Sequence, residues 1–181
     1  NGMGSTIGDF NADSLLDWYM TNIYFPPPST DTCGNVLYSN LGGHTFANTA
    51  AQTGTQDGGW GWGTAAGDLD NDGDIDIVET SGWRTYPNRP ARVFINDGTG
   101  NFTSEAASTG LVHQDQGRGL ALLDYDVDGD LDVVIFVNQG RVRLFRNDLA
   151  GPETNWLRVR LDTAGHPCLA PNGYGTTIET V

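Results

Sequence analysis

The stretch DLDNDGDID, from Asp68 to Asp76, carries five aspartates in nine residues. Aspartates occupy its first, third, fifth, seventh and ninth places, and Gly73 occupies the sixth. Calcium takes about six to eight oxygen ligands, and carboxylates on alternate residues of a tightly curled loop converge on one point. A glycine at the sixth place lets the chain turn sharply at positive φ. The predicted calcium ligands are Asp68, Asp70, Asp72, Asp76 and, through its backbone carbonyl, Asp74.

This loop occurs three times along the chain. Asp124 to Asp132 reads DYDVDGDLD, again with glycine sixth, whereas Asp9 to Asp17 reads DFNADSLLD, with asparagine third and Ser14 sixth. The loops are spaced by 59 and 56 residues, and a fixed period of this size indicates a repeat architecture. The ligands predicted in these two copies are Asp9, Asn11, Asp13, Asp17, Asp124, Asp126, Asp128, Asp130 and Asp132.

The segments around each loop have the pattern of short β-strands. A strand-like segment precedes each loop, an apolar one follows it, and a third ends in asparagine; in two units a glycine turn then leads to a short segment with a phenylalanine. The predicted strands are 4–8, 15–19, 36–40, 63–67, 75–78, 92–96, 119–123, 131–137 and 142–147, with short fourth strands at Phe46 and Phe102. Residues 131–137 are apolar enough to predict burial on both faces. About three four-stranded repeats without helical periodicity predict an all-β chain of β-propeller blades.

The domain organisation follows from where this pattern stops. The blades cover residues 1–154, and the alternating segment NWLRVRL, Asn155 to Leu161, predicts the first strand of a small β domain over 155–181. Three blades do not close a ring, and the first repeat begins at the first residues of the chain. We therefore expect the chain to be a fragment of a larger propeller protein.

The start of each unit, G-x-G-x-x-x-G-D-x-[DN]-x-D, resembles FG-GAP or VCBS repeats, the blades of integrin-α-like propellers. The tail NWLRVRL, followed by NGYGTTI at 172–178, resembles the opening of an ASPIC/UnbV domain, although 162–171 departs from the usual small-residue insert. This combination is similar to that of bacterial cartilage acidic protein-like proteins. The resemblance implies a secreted protein with about seven blades, of which this chain is a C-terminal part.

The net charge of −14 is concentrated in the loops, which hold three, five and five of the 23 acidic residues. This acidity favours metal sites over a disordered acidic tail, and the lack of a basic stripe argues against nucleic-acid binding. All nine basic residues are arginines, which excludes lysine-dependent chemistry. No apolar run is long enough to span a membrane. Calcium sites of millimolar affinity fill outside the cell, so we expect a secreted, cell-surface or periplasmic protein.

Two competing interpretations of single motifs stay open at the sequence level. Asp68 to Glu79 also fits the EF-hand expression, but an EF-hand needs flanking helices and the segment after the loop alternates like a strand. Trp60 and Trp62 fit blade packing better than a sugar platform, whereas Trp83, in a variable loop, is the better ligand candidate. The histidines have no metal-ligand or triad spacing, and Cys33 and Cys168 could pair with each other, with a partner outside the chain, or with nothing.

These observations predict a secreted calcium-binding β-propeller module for extracellular binding, adhesion or matrix and surface assembly, in which about three Ca²⁺ ions are mainly structural. Its expected partners are an extracellular protein, a polysaccharide or further copies of itself, without nucleic acid and without membrane insertion. No catalytic or cofactor-binding motif is present in the sequence, so we expect no enzyme activity. Two alternatives are the propeller portion of a polysaccharide-active enzyme such as a lyase, and the repeating subunit of an extracellular filament.

Overall fold

The computed structural model describes residues 2–25, 33–84, 90–105, 108–148, 159 and 161–162. Within them, the chain forms three antiparallel sheets, one after another in sequence, which we call blades 1, 2 and 3. Blade 1 contains β1 (Ser5–Gly8), β2 (Asp17–Met20), β3 (Val36–Asn40) and β4 (Phe46–Asn48). Blade 2 contains β5 (Gly61–Gly67), β6 (Asp76–Ser81), β7 (Arg92–Asn96) and β8 (Phe102–Ser104), and blade 3 contains β9 (Gly117–Leu123), β10 (Asp132–Val137) and β11 (Arg143–Phe145).

Each blade is an up-and-down meander, because neighbouring strands follow one another in sequence. Every acidic loop closes the hairpin between the first two strands: the residue before each loop pairs with its ninth-place aspartate, as Gly67 does with Asp76. The all-β blade architecture expected from the repeats is therefore confirmed. Strands also flank the loop at Asp68 to Asp76, which rules out the EF-hand alternative.

Strand boundaries differ from the sequence expectation at both ends: β2 begins two residues later than predicted, at Asp17, and β11 ends two residues early, at Phe145. β5 and β9 each begin two residues early, and β6 continues to Ser81, which pairs with Gly61 beyond a register shift. One helical turn, α1 (Ala50–Thr53), was not expected, because four residues are too few to show a helical period. It ends at Gly54, whose φ of 86° reverses the chain.

Two apolar clusters join the blades. Tyr19 and Leu37 of blade 1 pack with Ile77 and Phe94 of blade 2, whereas Val78 faces the cluster shared with blade 3. The alternation of a strand therefore sends successive side chains of β6 to opposite neighbours, and all six residues of this strand are buried.

β10 does not have the burial on both faces that its composition predicted. Val133 and Ile135 are buried against blade 2, but Phe136 is 49% exposed, because no described element covers the other face of blade 3. The free face of blade 1 is similar: Trp18, which corresponds to the buried Ile77, is 43% exposed and packs on Tyr38 of its own sheet. The outer faces of blades 1 and 3 thus expose side chains at positions that are buried between blades.

A buried carboxyl group lies between blades 1 and 2. Glu79 Oε2 accepts hydrogen bonds from the Tyr19 hydroxyl at 2.6 Å and from Asn35 Nδ2 at 2.8 Å, while Oε1 has no hydrogen-bond partner among the described residues. Burial raises the pKa of Glu79 to about 7, although the bond from Tyr19 and the charge of Arg92 lower it; the charge of Asp57 raises it. The site therefore favours the protonated acid.

This raised pKa gives a pH-dependence of stability with a definite sign. The Glu79 contribution is fully present below the unfolded-state pKa of 4.5 and is lost as the pH rises through about 7. We expect Glu79→Gln, which stays neutral, to flatten the fall of the free energy of unfolding between pH 4.5 and 7.5. Urea denaturation in saturating calcium gives the free energy of unfolding of the wild type and the variant at each pH. Subtracting one profile from the other removes the pH effects that both proteins share. Parallel curves for both proteins would contradict the assignment.

Candidate metal centres

The loop of blade 2 brings three carboxylates together. Oxygens of Asp68, Asp70 and Asp76 lie within 4.8 Å of one another. The Asp68 carboxylate is held in place by the backbone N–H groups of Asp72 at 3.1 Å and Gly73 at 3.0 Å, so the curled loop positions its own first ligand. The predicted convergence of the first, third and ninth places is present in this loop.

The electrostatics of this group indicate a missing positive charge. Asp70 Oδ1 is buried and has no hydrogen-bond partner in the described chain, and burial, followed by the charge of Asp72, raises the pKa of Asp70. Burial also raises the pKa of Asp76 to about 7, although its oxygens accept N–H groups from Asn96 at 2.9 Å and Leu69 at 2.8 Å. A hard cation bound by oxygen ligands would stabilise these carboxylates, so the residues present fit Ca²⁺.

The loop of blade 3 has a similar arrangement with a different set of closest members. Oxygens of Asp124, Asp126 and Asp128 lie within 4.8 Å of one another, and Asp124 accepts the N–H of Asp128 at 3.1 Å. Desolvation, followed by the charge of Asp128, raises the pKa of Asp126. Asp132 is fully buried and accepts the N–H of Asn147 at 2.8 Å. Its carboxylate therefore anchors the end of the loop to the third strand.

The seventh-place aspartates of blades 2 and 3 are Asp74 and Asp130, two residues before the end of each loop. The Asp74 N–H donates to Asp72 at 2.9 Å, and the Asp130 N–H donates to Asp128 at 3.4 Å. The Asp74 carboxylate lies against Gly98 of the next turn, where an added Cβ would come within 2.5 Å of Oδ2. Neither aspartate belongs to the three-carboxylate group of its loop, and their role as backbone-carbonyl ligands stays a prediction.

The loop of blade 1 is curled in the same way but has an asparagine at its third place. Asp9 accepts the N–H groups of Asp13 at 3.1 Å and Ser14 at 2.8 Å, as Asp68 does with its equivalents. The third-place aspartate belongs to the three-carboxylate group of both other loops, whereas here Asn11 stands in its place and its amide donates to Asp13 at 3.1 Å. Burial raises the pKa of Asp17. The first loop therefore differs from the other two by having one carboxylate fewer at its third place.

The sixth place has positive φ in all three loops: 101° at Gly73, 101° at Gly129 and 68° at Ser14. The predicted glycine turns are confirmed, and Ser14 adopts the same strained turn without the freedom of glycine. The fourth place also has positive φ, at Ala12, Asn71 and Val127, which the sequence analysis missed. Only the asparagine among these three residues hinted at it, because asparagine tolerates this region better than other non-glycine residues.

Val127 is the most strained of these residues, because a β-branched side chain at a φ of 67° is rare. We expect Val127→Asn to raise the free energy of unfolding by about 1 kcal/mol. Urea denaturation, with and without calcium, measures the change. Val142→Asn is the matched control, since Val142 is 57% exposed and Val127 55%, and only Val127 has positive φ. Equal changes in the two variants would show that polarity, not backbone strain, sets the effect.

In blades 2 and 3, the asparagine at or just after the end of the third strand connects the loops of neighbouring blades. Asn96 Nδ2 donates to Phe10 O in the loop of blade 1 at 2.9 Å and to Ile75 O in its own loop at 3.0 Å. Asn147 Nδ2 likewise donates to Leu69 O in the loop of blade 2 at 2.8 Å. The repeat of this residue was visible in the sequence, but its role between blades depends on how the sheets stack.

The tryptophans lie at the opposite end of blade 2 from its calcium loop. Trp83 stacks on Trp60, with ring centroids 5.5 Å apart, and on Trp62 at 5.9 Å; the Arg118 guanidinium lies 4.0 Å from the Trp62 centroid. Trp62 also donates its indole N–H to Gly82 O at 3.0 Å. This ladder supports the packing interpretation for Trp60 and Trp62 and extends it to Trp83, whose role as a ligand residue stays a prediction.

Residues 9–79 match the family model of the FG-GAP-like repeat. The matched range covers the loop and β2 to β4 of blade 1, and β5, the loop and the first four residues of β6 in blade 2. The chain is also 38% identical over 102 residues to cartilage acidic protein 1 of Xenopus tropicalis, covering 55% of this chain and 15% of that protein. It is 29% identical over 139 residues to cartilage acidic protein 1 of Mus musculus, covering 76% and 19%. The chain therefore spans less than a fifth of either relative.

Several predictions about the two ends of the chain are not tested by these matches. Most of the expected ASPIC/UnbV-like domain over 155–181 lies outside the described residues, as does Cys168. Cys33 is an exposed free thiol. The described part of the chain has no helix long and apolar enough to cross a membrane.

Proposed function

We propose that the acidic loops bind Ca²⁺ as structural ions and that the chain forms part of a secreted propeller module for extracellular binding, adhesion or assembly. The observation that carries the proposal is the convergence of Asp68, Asp70 and Asp76 around a buried oxygen, Asp70 Oδ1, that has no hydrogen-bond partner within the described residues. Bound calcium would supply the positive charge that this group lacks.

The chain's own residues give the ion a structural rather than a reactive role. The ninth-place carboxylate accepts N–H groups from its loop and from the third strand, so Asp76 ties Leu69 to Asn96. Asn96 in turn holds the neighbouring loop through Phe10 O. An ion that fixes the loop would therefore also fix the contact between two blades.

Isothermal calorimetry tests the calcium proposal directly. We expect about three Ca²⁺ per chain, with one fewer bound by Asp70→Asn and one fewer by Asp126→Asn, because each removes charge at the third place of its loop. Asp115→Asn is the matched control, since Asp115 is an exposed aspartate paired with Arg143 outside the loops. A stoichiometry that the control lowers as much as the loop variants would overturn the site assignment.

The three sites should differ in affinity, with the site at Asp9 emptying first as calcium falls. Asn11 brings no charge, and Ser14 keeps the turn at a φ of 68° at a cost of about 1 kcal/mol. We expect Asn11→Asp combined with Ser14→Gly to tighten this site by roughly fivefold, which corresponds to that energy. Amide chemical shifts of the sixth residue of each loop, followed through a calcium titration, measure the order. Equal occupancy at every calcium concentration would contradict it.

The kind of partner is indicated by the outer faces of blades 1 and 3, not by the acidic loops. Exposed apolar side chains on the outer faces of blades 1 and 3, including Trp18 at 43% and Phe136 at 49%, favour contacts with protein, either further blades or further copies. This observation also favours the second candidate function, a repeating subunit of an extracellular filament. Electron microscopy of the protein at increasing concentration tests it, and dispersed particles at every concentration would exclude self-assembly.

A polysaccharide ligand remains part of the binding proposal, and we propose that the module does not cleave it. A depolymerisation assay on acidic polysaccharides tests this point. If the homogeneous protein cleaves an acidic polysaccharide in the presence of calcium, the proposed binding role is wrong and the lyase alternative is supported.

A further inference from the structure

The apolar cluster between blades 1 and 2 consists of two halves, one from each blade. The halves meet closely: the Tyr19 ring of blade 1 packs edge-to-face on Phe94 of blade 2, with ring centroids 6.4 Å apart. The blade 1 half includes Phe10, Tyr19 and Leu37. The blade 2 half consists of Ala66, Ile75, Ile77, Phe94 and Phe102. Each half removes the apolar surface of the other from water, so neither is stable alone.

The outer face of blade 1 carries the blade 2 half again. The loop positions and strand registers give the counterparts; Trp18, for example, follows the ninth-place aspartate as Ile77 does. All five counterparts are apolar or aromatic, and none of them is buried. In the order of the blade 2 half, they are Ile7, Leu16, Trp18, Tyr38 and Phe46. This face is therefore half of an interface, without the other half among the described residues.

The outer face of blade 3 carries the blade 1 half. The counterparts of Phe10, Tyr19 and Leu37 in blade 3 are Tyr125, Val134 and Leu144. Tyr125 and Leu144 are 45% and 47% exposed, whereas Phe10 and Leu37 are buried. The outer faces of blades 1 and 3 are therefore the two complementary halves of one type of interface, carried by the same chain.

A glycine on blade 3 also matches an interface position. A Cβ added to Gly63 of β5 would overlap the carbonyl oxygen of Arg118 in blade 3, so glycine lets these two first strands approach closely. Gly119 is the counterpart of Gly63 in β9, and an added Cβ there would meet only the exposed Phe136 side chain, at 3.7 Å, within 4 Å. Blade 3 thus has room for the first strand of another blade, with Phe136 at its border.

We propose that copies of this chain associate head to tail, with the outer face of blade 3 of one copy packed on the outer face of blade 1 of the next. The contact repeats the arrangement of blades 1 and 2, so Val134 and Leu144 of one copy meet Trp18 and Tyr38 of the other. A second copy fits because it carries the half that each face lacks. Such a heterologous contact closes into a ring of copies or continues as a filament. The inference rests on the proposed assembly role of the module.

Two surface variants test the contact, each impairing one face. Trp18→Glu places a charge on the blade 1 face and Leu144→Glu on the blade 3 face; both residues are exposed, so the fold should tolerate the changes. Size-exclusion chromatography with light scattering of the full chain in saturating calcium measures the mass. We expect the wild type to form dimers or larger assemblies, and each variant alone to keep the mass of one chain. Val112→Glu is the matched control for the added charge, since Val112 is 61% exposed and lies outside both faces.

Mixing the two variants gives the decisive measurement. Trp18→Glu keeps an intact blade 3 face and Leu144→Glu an intact blade 1 face, so an equimolar mixture should form a one-to-one heterodimer. Ile7→Glu, at another exposed position of the blade 1 face, should replace Trp18→Glu in this mixture with the same result.

Four outcomes would overturn the head-to-tail contact. They are a wild type that is monomeric at every concentration, a mixture that stays monomeric, association lost in only one of the two face variants, which indicates a face that pairs with itself, and equal loss in Val112→Glu. Calcium stoichiometry, measured by calorimetry on the same preparations, separates this inference from the calcium proposal. Unchanged calcium binding by a monomeric wild type would contradict the head-to-tail contact alone.

Discussion

Excess EGTA is expected to lower the melting temperature of this protein by roughly 8–16 °C. With a dissociation constant near ~10⁻⁴ M and about 1 mM free Ca²⁺, each site contributes roughly 1.4 kcal/mol to the free energy of unfolding, and three contribute about 4 kcal/mol. For a chain of this size, each kcal/mol corresponds to about 2–4 °C. The structural reason is local: oxygens of Asp68, Asp70 and Asp76 lie within 4.8 Å of one another and repel without a cation.

Calorimetry in EGTA, followed by calcium re-addition, measures the shift. Magnesium at the same concentration is the control, because its demand for a small octahedral site fits these loops less well, and it should restore only part of the lost stability. A melting temperature that EGTA leaves unchanged would contradict the calcium proposal. Full recovery of the melting temperature with magnesium would show that neutralising the carboxylate charge is enough to stabilise the loops.

Asn96→Ala is expected to lower the free energy of unfolding by about 2–4 kcal/mol. The substitution removes the donor to Phe10 O and Ile75 O, and the acceptor of the N–H groups of Gly98 and Gly100, both at 3.2 Å. Asn96 is 3% exposed, so backbone groups left unsatisfied here cost about 1–3 kcal/mol each, less where water can enter. The expected loss of stability includes both the hydrogen bond between the loops of blades 1 and 2 and the hydrogen bonds within the turn of blade 2.

The chain contains a matched control for this prediction. Asn40 ends the third strand of blade 1, and its amide donates only to Leu16 O at 3.1 Å while its oxygen accepts the N–H of Gly42 at 3.0 Å. Asn40→Ala should therefore cost about 1 kcal/mol. Urea denaturation of both variants in saturating calcium compares them. Equal losses would show that the contact across blades adds nothing and that the asparagine serves only its own turn.

Local sequence determined much of this fold because the turn chemistry is local. The spacing of aspartates around Gly73 and Gly129 predicted tight loops, and both glycines have the positive φ that such loops require. The third strands 36–40 and 92–96 were predicted to the residue, because an alternating run that ends in asparagine marks its limit, whereas β11 ends at Phe145 instead of the predicted residue 147. Ser14, at the same place in the first loop, also adopts positive φ.

Tertiary structure decided which of these local features act together. The fully apolar run in β10 is buried on one face only, whereas β6, with Glu79 and two hydroxyl residues, is buried throughout, because blade 2 lies between the two other described sheets. Sequence gave no reason to pair Glu79 with Tyr19, 60 residues away. Nor could spacing show that the amide of Asn11 donates to the carboxylate of Asp13. Periodicity reports which residues share a face; only the stacking of blades determines what that face meets.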